Sequence, residues 1–205
     1  MLEELDFCVR KGASLGADFV EARHEDLSLR TLQRSDDAWK DLMVKIRTGF
    51  SITCYVDGVS GFSFTPSAER EDLLAVTERA VSMAKASAPV ATLRLPFDGR
   101  KPIQSRSSDT ISARVHPRSV SLDEKVDLVN RIMDVTREVG KNLVNVRALY
   151  GELYGPKMVV NSDGSQINWD LLVTDLRVTA TAKTDNGNLV MGAEGTGGSY
   201  GLEHF

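Results

Sequence analysis

The sequence is short of the side chains that bind transition metals, and it has no long apolar run. Its 205 residues include two cysteines, Cys8 and Cys54, and three histidines, His24, His116 and His204. Two thiols are too few to cross-link a secreted domain of this size, so the sequence predicts a protein of the reducing cytoplasm. No apolar stretch approaches the ~20 residues of a membrane helix, and the acidic N-terminus is unlike a signal peptide, so we expect no membrane contact.

The histidines do not stand at the spacing of a metal site. After the His-Glu pair that begins at His24, a zinc-binding helix would need another histidine at position 28 or 29, where the sequence has Ser28 and Leu29. We interpret that pair as exposed polar residues of a strand. Neither His116 nor His204 has a second candidate ligand at a recognisable spacing. The sequence therefore predicts no catalytic, metal-binding or cofactor-binding residue in this chain.

The charge balance argues against nucleic acid as a partner. The chain has 25 basic and 29 acidic side chains, for a net charge of −4, whereas nucleic-acid binders present basic surfaces. The one basic segment, residues 89–118, has six arginines and lysines against two aspartates. It contains a single aromatic residue, Phe97, on which a base could stack. We interpret this segment as a solvated linker.

Three segments show the apolar spacing of helices that bury one face. The first covers residues 2–14, and the second runs from Pro66 to just before Pro89. The third begins at Ser121, which forms a capping-box pattern with Glu124, and ends at the next glycine in the sequence.

Strands account for most of the remaining sequence. Even-numbered apolar residues from Leu42 to Val56 alternate with polar ones, which predicts a strand with one buried face and makes Cys54 a core thiol. Thr48-Gly49 is expected to mark a bulge or a bend in this strand, and Asp57-Gly58 a type I′ turn to a short return strand. Further strands are predicted at 17–34, 144–150, 158–161, 166–169 and 171–184.

These elements predict an α+β fold with long, mostly antiparallel strands. We predict a first lobe at residues 1–88, a Pro/Ser-rich basic linker or arm at 89–118 and a second lobe at 119–205. Each lobe runs from a helix into long strands with Asp-Gly turns, which suggests an internal duplication. The glycine-rich end, from Gly192 to Gly201, lacks the complete pattern of a phosphate-binding loop, so we predict a flexible connector there.

Four sequence elements together resemble the TldD/PmbA family, whose members have been described as modulators of DNA gyrase and as zinc metallopeptidases. They are GADFVEAR at residues 16–23, GFSITCYVDGVSGFSF at 49–64, the alanine-rich helix at 69–86, and the strand pair at 159–205 that ends in GGSYGLEHF. Their order and spacing cover almost the whole chain, and the last element is closer to the TldD branch than to the PmbA branch. The sequence departs from the family at Leu202, where a tyrosine often precedes the glutamate.

The resemblance implies a zinc metallopeptidase whose His-Glu-x-x-x-His motif follows the glycine element, beyond Phe205. This chain would then be the non-catalytic N-terminal domain, with the zinc in the missing catalytic half and no cofactor of its own. We expect it to be inactive alone. Family members associate as TldD-type and PmbA-type (TldE) subunits, so the resemblance implies a homo- or hetero-oligomer that encloses the path of an unfolded peptide substrate.

Two other interpretations stay open on the sequence. One is a stand-alone binding or assembly module that pairs with a separate peptidase subunit. The other is an effector of DNA gyrase, which depends on the older family name and on the basic segment at 89–118.

Overall fold

The computed structural model describes residues 1–95, 102 and 104–205. Part of the predicted linker, residues 96–101 and 103 with the aromatic Phe97, lies outside the described residues. The helices are α1 (Leu2–Ser14), α2 (Arg70–Ser87) and α3 (Leu122–Val139). The strands are β1 (Phe19–Ser35), β2 (Ala38–Val56), β3 (Val59–Thr65), β4 (Arg106–Asp109), β5 (Leu143–Asn161), β6 (Gln166–Lys183) and β7 (Leu189–Gly198).

The seven described strands belong to one sheet, in the order β3-β2-β1-β5-β6-β4, with β7 also paired to β6. Antiparallel ladders join β2 to β3 and β6 to β7, whereas the short β4 pairs with β6 in parallel. At the β2–β3 turn, Asp57 and Gly58 have φ angles of 50° and 73°, and two positive values are what a type I′ turn requires. The predicted α+β class and this hairpin are therefore confirmed.

The described chain divides into two compact units, each assembled from three segments. Unit 1 consists of Met1–Asp26, Arg47–Thr110 and Pro156–Asp170, and unit 2 of Leu27–Ile46, Ile111–Gly155 and Leu171–Phe205. The long strands β1, β2, β5 and β6 contribute residues to both units.

The core of unit 1 lies where α1 and α2 pack on the strands. Cys8 and Cys54 are completely buried there, which confirms the core thiol predicted at Cys54. Burial raises the pKa of Cys54 to about 12. Helix α2 runs very close to β3, because a Cβ at Gly61 would lie only 2.0 Å from the carbonyl oxygen of Ala80. This contact requires a residue without a side chain at position 61.

The core of unit 2 lies beneath α3, whose Val129 and Met133 pack with Tyr150 of β5. The predicted capping box starts the helix: Ser121 Oγ accepts the Glu124 N–H at 3.2 Å, and Glu124 Oε2 accepts the Ser121 N–H at 2.8 Å. The helix ends at the next glycine, as predicted. None of the described helices has both the length and the apolar character needed to cross a membrane.

The predicted burial of β2 is correct for only half of the strand. Leu42, Val44 and Ile46 share the even numbering of the buried Phe50, but their side chains are 56%, 56% and 71% exposed. The β2 residue that packs on the core of unit 2 is the odd-numbered Trp39. The parity of the packed side chains changes between the two halves of β2, because Phe50 packs on the core of unit 1 and Trp39 on the core of unit 2. Gly49, with a φ of 154°, lies between the two halves.

Three other sequence predictions differ from the structure. The four strands predicted between 144 and 184 are joined in pairs into two long strands, β5 of 19 residues and β6 of 18. Helix α2 begins at Arg70 and not near Pro66, because the side chains of Thr65 and Ser67 accept backbone N–H groups and hold the intervening residues in turns. Most of the predicted glycine-rich connector belongs to β7, which begins at Leu189. The short strand β4 lies in the segment predicted as a linker or arm.

Candidate functional site

The glycine-rich end of the chain forms an open edge of the sheet in unit 2. Strand β7 pairs with β6 from Thr174↔Gly198 to Lys183↔Leu189, and no described strand pairs with its other side. Every residue of β7 except Gly198 is exposed. An edge strand of this length presents a row of backbone N–H and C=O groups to which another chain can bind.

The hydrogen bonds at the β6–β7 turn show which backbone groups point outward. The Thr184 N–H donates to the Asn188 carbonyl at 2.8 Å, so this opposed pair is a hydrogen-bonded one. Hydrogen-bonded and non-hydrogen-bonded pairs alternate along an antiparallel ladder. The residues whose N–H and C=O groups point away from β6 are therefore Leu189, Met191, Ala193, Gly195 and Gly197.

A groove of about 690 Å³ lies over this hairpin, and two glycines create it. Gly195 stands opposite Arg177, and Gly197 stands opposite Asp175. Directly opposed side chains share one face of a sheet, so Arg177 and Asp175 form one wall while the other side is bare backbone. The nearest N–O distance between the two charged groups is 3.8 Å, and the Arg177 side chain is 62% exposed. The groove thus offers backbone groups and one accessible charge of each sign.

Tyr200 fastens the end of β7 to β6. Its carbonyl accepts the Thr174 hydroxyl at 2.8 Å, and its own hydroxyl lies 2.8 Å from Thr196 Oγ1. The ring folds back over Gly198, where a Cβ would come within 2.6 Å of it. Glycine at this position therefore allows the aromatic ring to close over the end of the strand.

Glu203 then binds the backbone of residues 114–115, which holds in place the segment that follows β7. Its carboxylate accepts the Arg114 N–H at 3.0 Å and the Val115 N–H at 2.9 Å. The Leu202 N–H donates to the Val115 carbonyl at 2.9 Å, and a Cβ at Gly201 would lie 2.3 Å from that oxygen. Hydrogen bonds from its own backbone N–H, from Val115 and from Arg114 lower the pKa of Glu203 to about 2. The glycine element is thus held in place at its end.

A buried charge cluster supports the same unit. Glu152 of β5 accepts Lys125 Nζ at 3.0 Å and lies 3.2 Å from a terminal nitrogen of Arg30. Tyr150 also donates its hydroxyl to Glu152, and Lys125 donates to the Pro117 carbonyl at 2.8 Å. Burial lowers the pKa of Lys125, with Glu152 opposing the shift, and burial raises the pKa of Tyr150. One carboxylate therefore ties together α3, β1 and β5, which is a structural role.

Packing accounts for each of the three histidines. His24 is 8% exposed with its ring 4.7 Å from that of Phe50, so it is a core residue and the expectation of an exposed pair was wrong. His116 Nδ1 accepts the Arg118 N–H at 3.0 Å, and the His204 ring lies 4.1 Å from that of Tyr200. In the described ranges, no group of three or more His, Cys, Asp and Glu side chains could hold a metal ion. These residues do not fit a catalytic metal.

The sequence did contain a signal for the β7 edge. Three apolar residues, Leu189, Val190 and Met191, follow the Asn186-Gly187 turn after Asn188, and the β-branched Val190 favours a strand. The glycines after them lower strand propensity, and for that reason the segment was predicted as a connector.

Two family models match the chain. Residues 20–84 match PmbA/TldA metallopeptidase domain 1, and residues 115–205 match the PmbA/TldA metallopeptidase central domain. A search of curated proteins finds no significant match.

Solved structures share the fold at low sequence identity. A candidate modulator of DNA gyrase from Bacteroides thetaiotaomicron VPI-5482 has a TM-score of 0.73 and 14% identity, over 97% of this chain and 45% of that one. A second candidate modulator of a DNA gyrase, from Thermotoga maritima MSB8, has a TM-score of 0.72 and 15% identity, over 99% of this chain and 44% of that one. TldE from Thermococcus kodakarensis has a TM-score of 0.68 and 16% identity, over 96% of this chain and 43% of that one. This chain therefore spans less than half the length of each.

The two family models together match most of the chain, in the same order as the resemblance found in the sequence. The chain therefore belongs to the PmbA/TldD metallopeptidase family, of which it contains the first and the central domain.

Proposed function

We propose that this chain is the non-catalytic N-terminal part of a TldD-like zinc metallopeptidase, where it contacts partner subunits and encloses the path of an unfolded peptide. Family membership supports the peptidase context. The engagement of each histidine in core or surface packing supports a zinc site formed by other residues of the complete enzyme. The two buried free thiols agree with a location in the reducing cytoplasm.

The observation that carries the proposal is the open edge of β7. An extended peptide can add to such an edge through its main chain, and this mode of binding depends little on peptide sequence. Gly195 and Gly197 have no side chains to block one side of the adjacent groove, so the backbone of a ligand can approach closely there. The same edge could pair with a strand of a partner subunit, since either chain would use the same backbone groups.

A cleavage assay tests the absence of catalysis. The chain is incubated with zinc and an unfolded, fluorophore-quencher peptide, and fluorescence is followed over hours. We expect no cleavage above a zinc-only control. Turnover that rises with the concentration of the chain and stops with a chelator would place a catalytic centre within these residues and contradict the proposal.

A binding assay tests the β7 edge. Ala193 points its N–H outward and is exposed, so Ala193→Pro removes one outward donor without removing a bond to β6. Ala193→Ser retains the donor and is the matched control. By fluorescence anisotropy with a labelled unfolded peptide, we expect Ala193→Pro to weaken binding roughly tenfold and Ala193→Ser to bind as the unchanged chain does. Equal binding by both variants would show that the peptide does not add to this edge.

A further inference from the structure

Unit 1 has a second open edge, at β3, which lies outside the function proposed above. Strand β3 is the terminal strand of the sheet, with β2 on one side and no described strand on the other. Helix α2 closes one face of β3 through the tight contact at Gly61. Among the described residues, no element covers the other face or the outer edge of the strand, and Phe62 and Phe64 are on this open face with exposures of 51% and 67%.

The backbone groups of these two phenylalanines point toward the open edge. Val56 and Val59 close the two-residue turn between β2 and β3, and the residues that flank such a turn form a hydrogen-bonded pair. Counting along the ladder, Phe62 opposite Thr53 and Phe64 opposite Ser51 are non-hydrogen-bonded pairs. Their N–H and C=O groups therefore point away from β2, so the same residues offer apolar rings and backbone partners.

A hollow of about 360 Å³ adjoins the two rings, within the size range of sites for small ligands and side chains. Gly49 shapes its floor: a Cβ there would lie 2.7 Å from the Thr65 carbonyl oxygen, so β2 and β3 approach closely only because residue 49 is glycine. The rings of Phe62 and Phe64 lie 6.4 Å apart and form one wall. Apolar side chains of a ligand can be buried here against aromatic carbon.

Two charged residues line the rim of the hollow, Glu25 and Arg47. Glu25 is ion-paired with Lys157 at 2.6 Å and also accepts a hydrogen bond from one terminal nitrogen of Arg47 at 3.4 Å, so the two cations together outnumber this carboxylate. The Arg47 side chain is 64% exposed and lines the hollow, so most of its five donors can meet an incoming acceptor. A carboxylate is the partner that a guanidinium favours.

We propose that the open face and edge of β3 dock an extended segment of a partner protein, with alternate apolar side chains on Phe62 and Phe64 and an acidic side chain at Arg47. Side chains of an extended segment point to one face at every second residue, which matches the spacing of the two rings. The site thus selects a pattern of two apolar residues in alternation, with an acidic residue on the same face.

The test uses the whole chain and a fluorescein-labelled heptapeptide, acetyl-Glu-Ser-Leu-Thr-Leu-Ser-Glu-amide, whose same-face residues are Glu, Leu, Leu and Glu. Binding is measured by anisotropy. We expect Phe62→Ser with Phe64→Ser to weaken binding at least tenfold. Leu93→Ser is the matched control, because Leu93 is also an apolar residue of unit 1, is 80% exposed and does not line the hollow; it should bind normally.

Charge reversal tests the rim separately. Arg47→Glu should lower the affinity for this peptide and raise it for the same peptide with Lys in place of Glu. The β7 variant Ala193→Pro should leave both affinities unchanged, which keeps this proposal distinguishable from the one above. The proposal is overturned if the double serine variant binds the heptapeptide as the unchanged chain does, or if no peptide binds and the unchanged chain instead forms a dimer that the double serine variant loses.

Discussion

The carboxylate of Glu203 accepts the backbone N–H of Val115 at 2.9 Å, across 88 residues of sequence. The bond fixes the C-terminal glycine element at one end, while Tyr200 fixes the end of β7 to β6. A glycine-rich edge strand has little side-chain packing of its own, so such anchors at its end determine whether it stays ordered. Loss of the hydrogen bonds to the Glu203 carboxylate should therefore loosen β7 before it unfolds the cores of the two units.

Glu203→Gln is expected to destabilise unit 2 in a pH-dependent manner. The folded pKa of Glu203, about 2, lies below its ordinary value of 4.5. The carboxylate therefore contributes stability that is fully present above pH 4.5 and is lost as the pH falls toward 2. Urea midpoints of the two proteins should differ most at neutral pH and converge near pH 2. A difference that is independent of pH would show that the charge of Glu203 is not what stabilises the contact with residues 114–115.

Glu152→Gln should cost about 3–5 kcal/mol of unfolding free energy, because it leaves the buried Lys125 and the partly buried Arg30 without their carboxylate. Adding Lys125→Met removes one of the uncompensated charges, so the double variant should recover part of the loss. Equilibrium urea unfolding at neutral pH measures both. If the loss of unfolding free energy in the double variant equals the sum of the losses in Glu152→Gln alone and Lys125→Met alone, the charges do not interact.

His24→Gln should reduce the loss of folding stability that occurs as the pH falls below 6.5. Burial against Phe50 lowers the folded pKa of His24 below its ordinary 6.5. The folded state therefore loses stability as the pH falls from 6.5 through the folded pKa, because the unfolded chain takes up the proton more readily. The exposed His204 provides the control, as His204→Gln. Thermal unfolding at pH 7 and pH 5 should show a smaller difference for His24→Gln than for the control.

Local patterns in the sequence predicted the elements whose geometry is set by neighbouring residues. The capping box of Ser121 and Glu124, the turn at Asp57-Gly58 and the burial of Cys54 all follow from side-chain chemistry or spacing within a few positions. These predictions were confirmed because no distant contact opposes them.

Features that depend on distant contacts were not predictable in the same way. The exposure of Leu42 and the burial of His24 are decided by which elements cover each face of the sheet. The β7 edge was missed because pairing with β6 outweighs the weak strand propensity of glycine. Nothing in the sequence indicates that the carboxylate of Glu203 accepts the backbone N–H of Val115.

Replacing two strand glycines, Gly61 and Gly192, by alanine should have different effects on folding stability. A Cβ at Gly61 would lie 2.0 Å from the Ala80 carbonyl oxygen and 2.6 Å from the Ala84 nitrogen. Gly61→Ala therefore forces α2 away from β3 and should cost about 2–3 kcal/mol or more, as overpacking does. At Gly192 no atom lies within 4 Å of the added Cβ, so Gly192→Ala should be neutral or stabilise by up to ~1 kcal/mol through the unfolded state. Urea unfolding of the two variants measures both effects, and equal losses would mean that the tight contact between α2 and β3 does not limit residue 61.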